Sequence, residues 1–162
     1  MSETTSHVER RLAELGLELP PEPVLPPEQR TAVPDFTTDG PLLYLSGTGP
    51  FWGAEVRYAG KLGADLGVED GCAAAQLTLL NHLSALRTAG VDLDRLRWLK
   101  VFGMVNCTPG FDRQPTVVNG YSDLLIELYG RRGVHARSAV GFVALPMQMA
   151  VEIEAVVRVD DA

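Results

Sequence analysis

An α+β fold, a sheet covered on one face by two helices, is what this sequence predicts. Three patterns carry that reading. Val68 to Thr88 and Phe111 to Tyr129 repeat apolar residues at helical spacing. Shorter segments are apolar runs, or alternate with a period of two as half-buried strands do. Their order is strands, long helix, strand, helix, strand, strand, and two helices can cover only one sheet face. Several strands carry apolar residues on both sides, so the second face wants cover too. Another copy of the chain is the simplest provider.

The elements follow in order. Ser6 caps a short helix, His7 to Leu15, with Glu9 at the capping-box position and Gly16 as the stop. Pro20, Pro21, Pro23, Pro26, Pro27 and Pro34 then exclude regular helix and suit an extended strap packed on the domain. The chain thus reads as one domain, residues 1–162, in which 1–38 are an N-terminal helix and strap. Asp39-Gly40 turns into a buried strand, Leu42 to Ser46. Gly47-Thr48-Gly49-Pro50 turns again, and Glu55 to Tyr58 reads as the returning strand. Gly60 to Gly67 is a loop before the long helix, whose stripe is Val68, Cys72, Ala75, Leu79, Leu83 and Leu86, ended by Gly90.

Leu96 to Asn106 reads as a strand with Leu96, Trp98, Phe102 and Met104 on one face and Leu99, Val101 and Val105 on the other. The second helix, Phe111 to Tyr129, tolerates Pro115 only in its first turn and aligns Val118, Ser122, Leu125 and Tyr129. Ser138 to Leu145 is another apolar strand, broken by Pro146. The last runs from Val151 to Val159, its odd positions apolar and Glu152, Glu154 and Arg158 opposite.

Composition narrows the function. Of 162 residues, 14 are Lys or Arg and 21 Asp or Glu, a formal net charge of −7. The basic clusters Arg10-Arg11, Arg95-Arg97-Lys100 and Arg131-Arg132 are too short to track a phosphate backbone, so no nucleic-acid partner is expected. Cys72 and Cys107 lie far apart with no metal spacing and read as free thiols; His7, His82 and His135 are scattered. No zinc site is therefore expected. The N-terminus has no leader pattern and no apolar run is long enough for a membrane span. A cytoplasmic protein without a membrane partner is the expectation.

Four blocks carry a family resemblance: Leu45-Ser46-Gly47-Thr48-Gly49-Pro50, Gly63-Ala64-Asp65-Leu66, Val117-Val118-Asn119-Gly120, and Arg137-Ser138-Ala139-Val140 continuing through Leu145-Pro146 to Val151-Glu152-Ile153-Glu154-Ala155. In order and spacing they resemble the YjgF/RidA family over roughly residues 40 to 159. The long chain is similar to that family's longer branch. The resemblance implies a chorismate-mutase-like fold, a homotrimer, clefts between subunits and no cofactor. It also implies hydrolysis of reactive enamines and imines, of the 2-iminobutanoate or 2-iminopropanoate type, to 2-oxo acids and ammonia.

Matched to the family motif, Arg137 falls on the carboxylate-binding arginine, whose planar fork can grip a carboxylate through two parallel bonds. On sequence alone a surface arginine in a weak salt bridge is the plainer reading; the motif reverses it. Glu152 falls on the glutamate that holds or activates water, though an outward carboxylate on an alternating strand, like Glu154, reads the same way. Asn119 and Gly47 match cleft positions. Asn119 equally suits a helix residue bonding nearby backbone, and Gly47 a turn glycine.

The sequence departs from the family at Ala139, where deaminases often carry cysteine. Tyr44 and Tyr121 match the family's N-terminal cleft tyrosine by residue type only. Ser138 has no histidine arranged to activate it. A non-catalytic trimeric protein that binds or senses small carboxylate metabolites is therefore the alternative to a deaminase. RNA cleavage, also attached to the family, is disfavoured by the acidic charge.

Overall fold

The computed structural model describes residues 6–161. The leaderless reading of Met1 to Thr5 lies outside the described residues. Helix α1 (His7–Glu14) starts as its capping signal dictates. Ser6 Oγ accepts from the Glu9 amide at 3.0 Å and the Glu9 carboxylate accepts from the Ser6 amide at 3.1 Å. Asp94 accepts from the next two amides, His7 and Val8, which fastens the helix start to the body. Its Val8 and Leu12 enter the same apolar core as the later helices.

The strap is irregular apart from one 3-10 turn, Pro27–Gln29. It is tied at both ends. Ser84 Oγ donates to the Pro20 carbonyl at 2.8 Å and Ser46 Oγ to the Pro34 carbonyl at 2.7 Å.

Two short elements differ from expectation. Strand β1 (Phe36–Asp39) had no sequence signal, because Thr37, Thr38 and Asp39 are exposed on a sheet edge. It forms a hairpin with β2 (Leu42–Thr48) around Gly40, whose φ of +56° favours glycine. The strand predicted at Glu55 to Tyr58 shrinks to β4 (Glu55–Val56). This pairs only with β3 (Phe51–Trp52) in a separate ribbon, and Tyr58 turns the chain away at φ +59°.

Helix α2 (Val68–Thr88) has the predicted bounds, while α3 (Gln114–Tyr129) starts three residues late. The Gln114 side chain donates to the Phe111 carbonyl, closing the turn before it. The helices meet closely at Gly120, where an added Cβ would stand 2.0 Å from the Cys72 carbonyl oxygen. Backbone, not a flexible side chain, would have to yield. Gly120→Ala is therefore expected to destabilise the fold by about 1–3 kcal/mol or more, read as a lower denaturant midpoint.

The main sheet has the order β1-β2-β7-β5-β6. It contains β5 (Leu96–Asn106), β6 (Ala136–Phe142) and β7 (Val151–Val159). All pairs are antiparallel except β5–β6, which α3 joins as a crossover. Strand β6 begins two residues before the predicted Ser138 and ends before Val143, which is exposed. In β5 the pairing with β7 slips between Trp98 and Lys100. This bulge corrects the predicted facing: Leu96, Trp98, Val101 and Val105 are buried together, and Phe102 and Met104 turn to the other side.

Helices α2 and α3 pack on one sheet face. The other carries half-buried Phe102, Met104 and Val156, with Tyr44 and Val140 exposed. Among the described residues no element covers this apolar surface.

Candidate functional site

Arg137 stands on edge strand β6, level with Val101, and turns towards α3. Its guanidinium donates to Asn119 Oδ1 at 2.8 Å, Ser122 Oγ at 3.1 Å and the Pro115 carbonyl at 3.4 Å. These partners are neutral. Among the described residues no carboxylate forms a salt bridge with Arg137. A half-buried guanidinium, aimed by neutral acceptors and lacking a counter-ion, is suited to an incoming anion.

A directional chain supports that arginine. The Gly133 carbonyl can only accept, so His135 Nδ1 carries the proton there at 2.6 Å. His135 Nε2 then accepts from the Ser122 hydroxyl at 3.0 Å, leaving Ser122 Oγ to accept from Arg137. Burial, opposed by the Gly133 carbonyl and joined by the Arg137 charge, lowers the His135 pKa. The neutral ring that this chain requires is thereby favoured.

Glu152 and Gly47 form the second pair. A Cβ at Gly47 would lie 2.5 Å from Glu152 Oε1, so a larger residue there would push that carboxylate aside. Burial first, and the Glu154 carboxylate second, raise the Glu152 pKa from the ordinary carboxylate range. Such a carboxyl group is a better proton acceptor than an exposed one.

The pairs do not meet within one chain. Arg137 is level with Val101 and Glu152 with Met104, so two strand spacings and three residues separate them, roughly 14 Å. They also point to opposite sheet faces. Of the predicted residues, Arg137 and Asn119 are brought together, as are Gly47 and Glu152.

Beside Glu152 and Gly47 opens a cavity of about 300 Å³, walled by the strap, the α2 residues Asn81, His82 and Ala85, and the loop holding Met147 and Met149. Met147 and Gln148, both non-glycine, have φ of +53° and +57°, so backbone strain sits at this wall. His82 is buried. Its Nε2 donates to the Ser46 carbonyl at 3.0 Å, so its Nδ1 accepts from the Tyr121 hydroxyl at 2.8 Å. Burial, partly offset by the Ser46 carbonyl, lowers the His82 pKa to about 4.

Tyr121 thus acts behind the cavity, while Tyr44 lies on the uncovered sheet face with Lys100 and Ser138. Neither lines the cavity. Sequence reasoning passed over Ser122, His135, Asn81 and His82. Polar side chains amid apolar helical positions were the available signal for Ser122, Asn81 and His82. Among the described residues no group of His, Cys, Asp or Glu could hold a metal ion, and no helix is long and apolar enough to cross a membrane.

Comparisons with known proteins agree with this architecture. The family profile described as "YjgF/chorismate mutase-like, putative endoribonuclease" matches residues 9–155. Protein TCP17 of Trypanosoma cruzi is 36% identical over 159 residues, 97% of each chain. The solved structure of Atu1372 from Agrobacterium tumefaciens is similar at a TM-score of 0.86 and 36% identity, covering 95% of this chain and 93% of its own. That of a Shewanella oneidensis MR-1 protein, described as "a putative endoribonuclease", gives 0.84 and 30%, covering 93% and 98%. RidA from an Antarctic Psychrobacter, at 0.56 and 20% over 85% and 93%, shares the fold. With its sheet, its two helices and nearly its whole length matched, the chain belongs to the YjgF/RidA family.

Proposed function

We propose that this protein hydrolyses reactive 2-imino acids to 2-oxo acids and ammonia, at sites completed between the subunits of a homotrimer. One observation carries the reading: an arginine with no salt bridge among the described residues and a carboxylate of raised pKa lie on opposite faces of the same sheet. One small ligand reaches both only if a second copy brings its own pair alongside. The uncovered apolar face gives that copy a reason to dock.

The chemistry needs only these groups. The enamine tautomerises to the imine by moving a proton from nitrogen to carbon. Arg137, steadied by Asn119 and Ser122, holds the carboxylate. Glu152 takes a proton from water as the oxygen attacks the imine carbon, and the imine nitrogen takes a proton from solvent to give a carbinolamine. The carbon–nitrogen bond then breaks as Glu152 returns its proton to nitrogen, and the hydroxyl proton returns to solvent as the new carbonyl forms. The sum is imine plus water to 2-oxo acid plus ammonia, with Glu152 regenerated.

The direct test is to generate 2-iminobutanoate from threonine with a dehydratase and follow its decay with and without this protein. Faster decay supports the deaminase; an unchanged rate sinks it. Ala139 favours the other reading, a trimer that binds carboxylates without turnover, because alanine cannot move a proton. That protein would bind 2-oxo acids in calorimetry while leaving imine decay unchanged. Both readings require the trimer. Light scattering should give three times the 17.5 kDa chain mass, and a monomer at micromolar concentration would remove the composite site.

A further inference from the structure

Strand β2 breaks its pairing beside Glu152. Leu45 stands opposite Ala155, and pairing resumes with Thr48 opposite Ile153. Ser46 and Gly47 thus face the single residue Glu154, which makes a bulge. Ser46 holds that bulge by bonds outside the β2–β7 ladder. Its amide donates to the Asp35 carbonyl at 2.8 Å and its hydroxyl to the Pro34 carbonyl at 2.7 Å, where the strap ends. Its carbonyl accepts from His82 Nε2 at 3.0 Å.

The bond from His82 bears on Glu152 through one peptide unit. The accepting carbonyl belongs to the Ser46–Gly47 peptide, which is trans and planar, so fixing one end fixes the other. Gly47 lies against the Glu152 carboxylate, where an added Cβ would stand 2.5 Å from Oε1. His82 itself is 4% exposed and lies on α2 between the buried leucines Leu79, Leu80, Leu83 and Leu86. An imidazole there is unfavourable unless its nitrogens are bonded. The Tyr121 hydroxyl satisfies Nδ1 at 2.8 Å and leaves the ring proton on Nε2, facing Ser46.

We infer that His82 is a positioning residue for Glu152, acting through the Ser46–Gly47 bulge. The inference rests on the preceding reading of Glu152 as the group that activates water. With the His82 bond lost, the bulge relaxes, Gly47 withdraws and water reaches the carboxylate. Around that carboxylate β7 supplies Glu154 and the strap brings Asp35 to the same cavity. Helix α2 brings only the neutral His82, and β5 places Met104 opposite. Water entering this acidic, cation-free surround would return the Glu152 pKa towards the ordinary carboxylate range.

Two readouts test the inference, one of them independent of turnover. Carbon-13 NMR of full-length protein labelled at the glutamate carboxyls follows the Glu152 titration, with Glu152→Gln to assign its signal. In the native protein Glu152 should titrate above the exposed glutamates. His82→Asn keeps an acceptor for Tyr121 but is too short to reach Ser46. It should bring the Glu152 titration down among the others and lower kcat for 2-iminobutanoate about ten- to a hundredfold. Affinity for 2-oxobutanoate, held through Arg137, should change by less than about twofold in calorimetry. His82→Gln, which can still donate to Ser46, should recover most of both losses. Should His82→Asn fail to fold, His82→Leu, which fills the space without the bond, takes its place. A lowered Glu152 titration in a protein that hydrolyses no imine would uphold the positioning and sink the deaminase. Native hydrolysis, with kcat and the Glu152 titration unchanged in the folded variant, would do the reverse. Losses that glutamine does not recover also overturn the inference.

Discussion

Mixing two inactive variants, Arg137→Ala and Glu152→Gln, is expected to restore imine hydrolysis. Alone, Glu152→Gln should lower turnover by about 100- to 10,000-fold, the usual range for losing a positioned acid–base group. Arg137→Ala should weaken carboxylate binding at least about a hundredfold, since each charge-assisted bond contributes about 1.5–3 kcal/mol. Arg137→Lys keeps the charge but loses the fork and should fall between. The roughly 14 Å separation across the sheet is what makes mixing informative. If each site joins Arg137 of one subunit to Glu152 of another, random co-assembly leaves about a quarter of sites with both native residues. Activity near that fraction is the expected result. Co-expressed trimers no more active than either parent would mean that the two residues do not share a site.

Acid should loosen the fold through His82, and the sign follows from its burial. The folded-state pKa is about 4, lowered from the ordinary value of 6.5. The unfolded chain therefore binds the proton first as pH falls. This stabilisation is fully present above pH 6.5, is lost progressively between 6.5 and 4, and changes no further below. At 1.36 kcal/mol per pH unit, moving from pH 7.5 to pH 5 should cost about 2 kcal/mol through this residue. His135, also lowered, adds in the same direction, and Glu152, raised, opposes it. His82→Gln isolates the effect, because an amide can donate to Ser46 and accept from Tyr121 without titrating. Denaturant melts of both proteins at the two pH values should show the smaller loss in the variant. Equal losses would show that His82 does not titrate as its burial requires.

Much of the scaffold was legible because its signals are local. Ser6 and Glu9 announce a helix start through two reciprocal bonds three residues apart. Gly90, at φ +78°, ends α2 where glycine is favoured. Strand β7 alternates cleanly from Val151 because one face is buried throughout. The failures have local causes as well. Strand β1 is a polar edge strand of four residues, and the bulge near Leu99 inverts the facing of β5 without leaving a mark in the alternation.

What the sequence determined by itself was therefore the fold class, the helices and four of the five strands of the main sheet, the family, and the identities of Arg137, Asn119, Gly47 and Glu152 as residues to examine. The elements rest on spacing along the chain, and the site residues on the resemblance of their motifs to the family. Tertiary structure alone decided that these form two pairs on opposite sheet faces, because facing depends on strand register and on the bulge. It alone placed His135 behind Arg137 through Ser122, and His82 behind Gly47 through the Ser46 carbonyl. Those relations join residues tens of positions apart, such as Asn81 and Phe51 or Ser46 and His82. Their hydrogen bonds depend on distances of about 3 Å, set only once the helices have packed on the sheet.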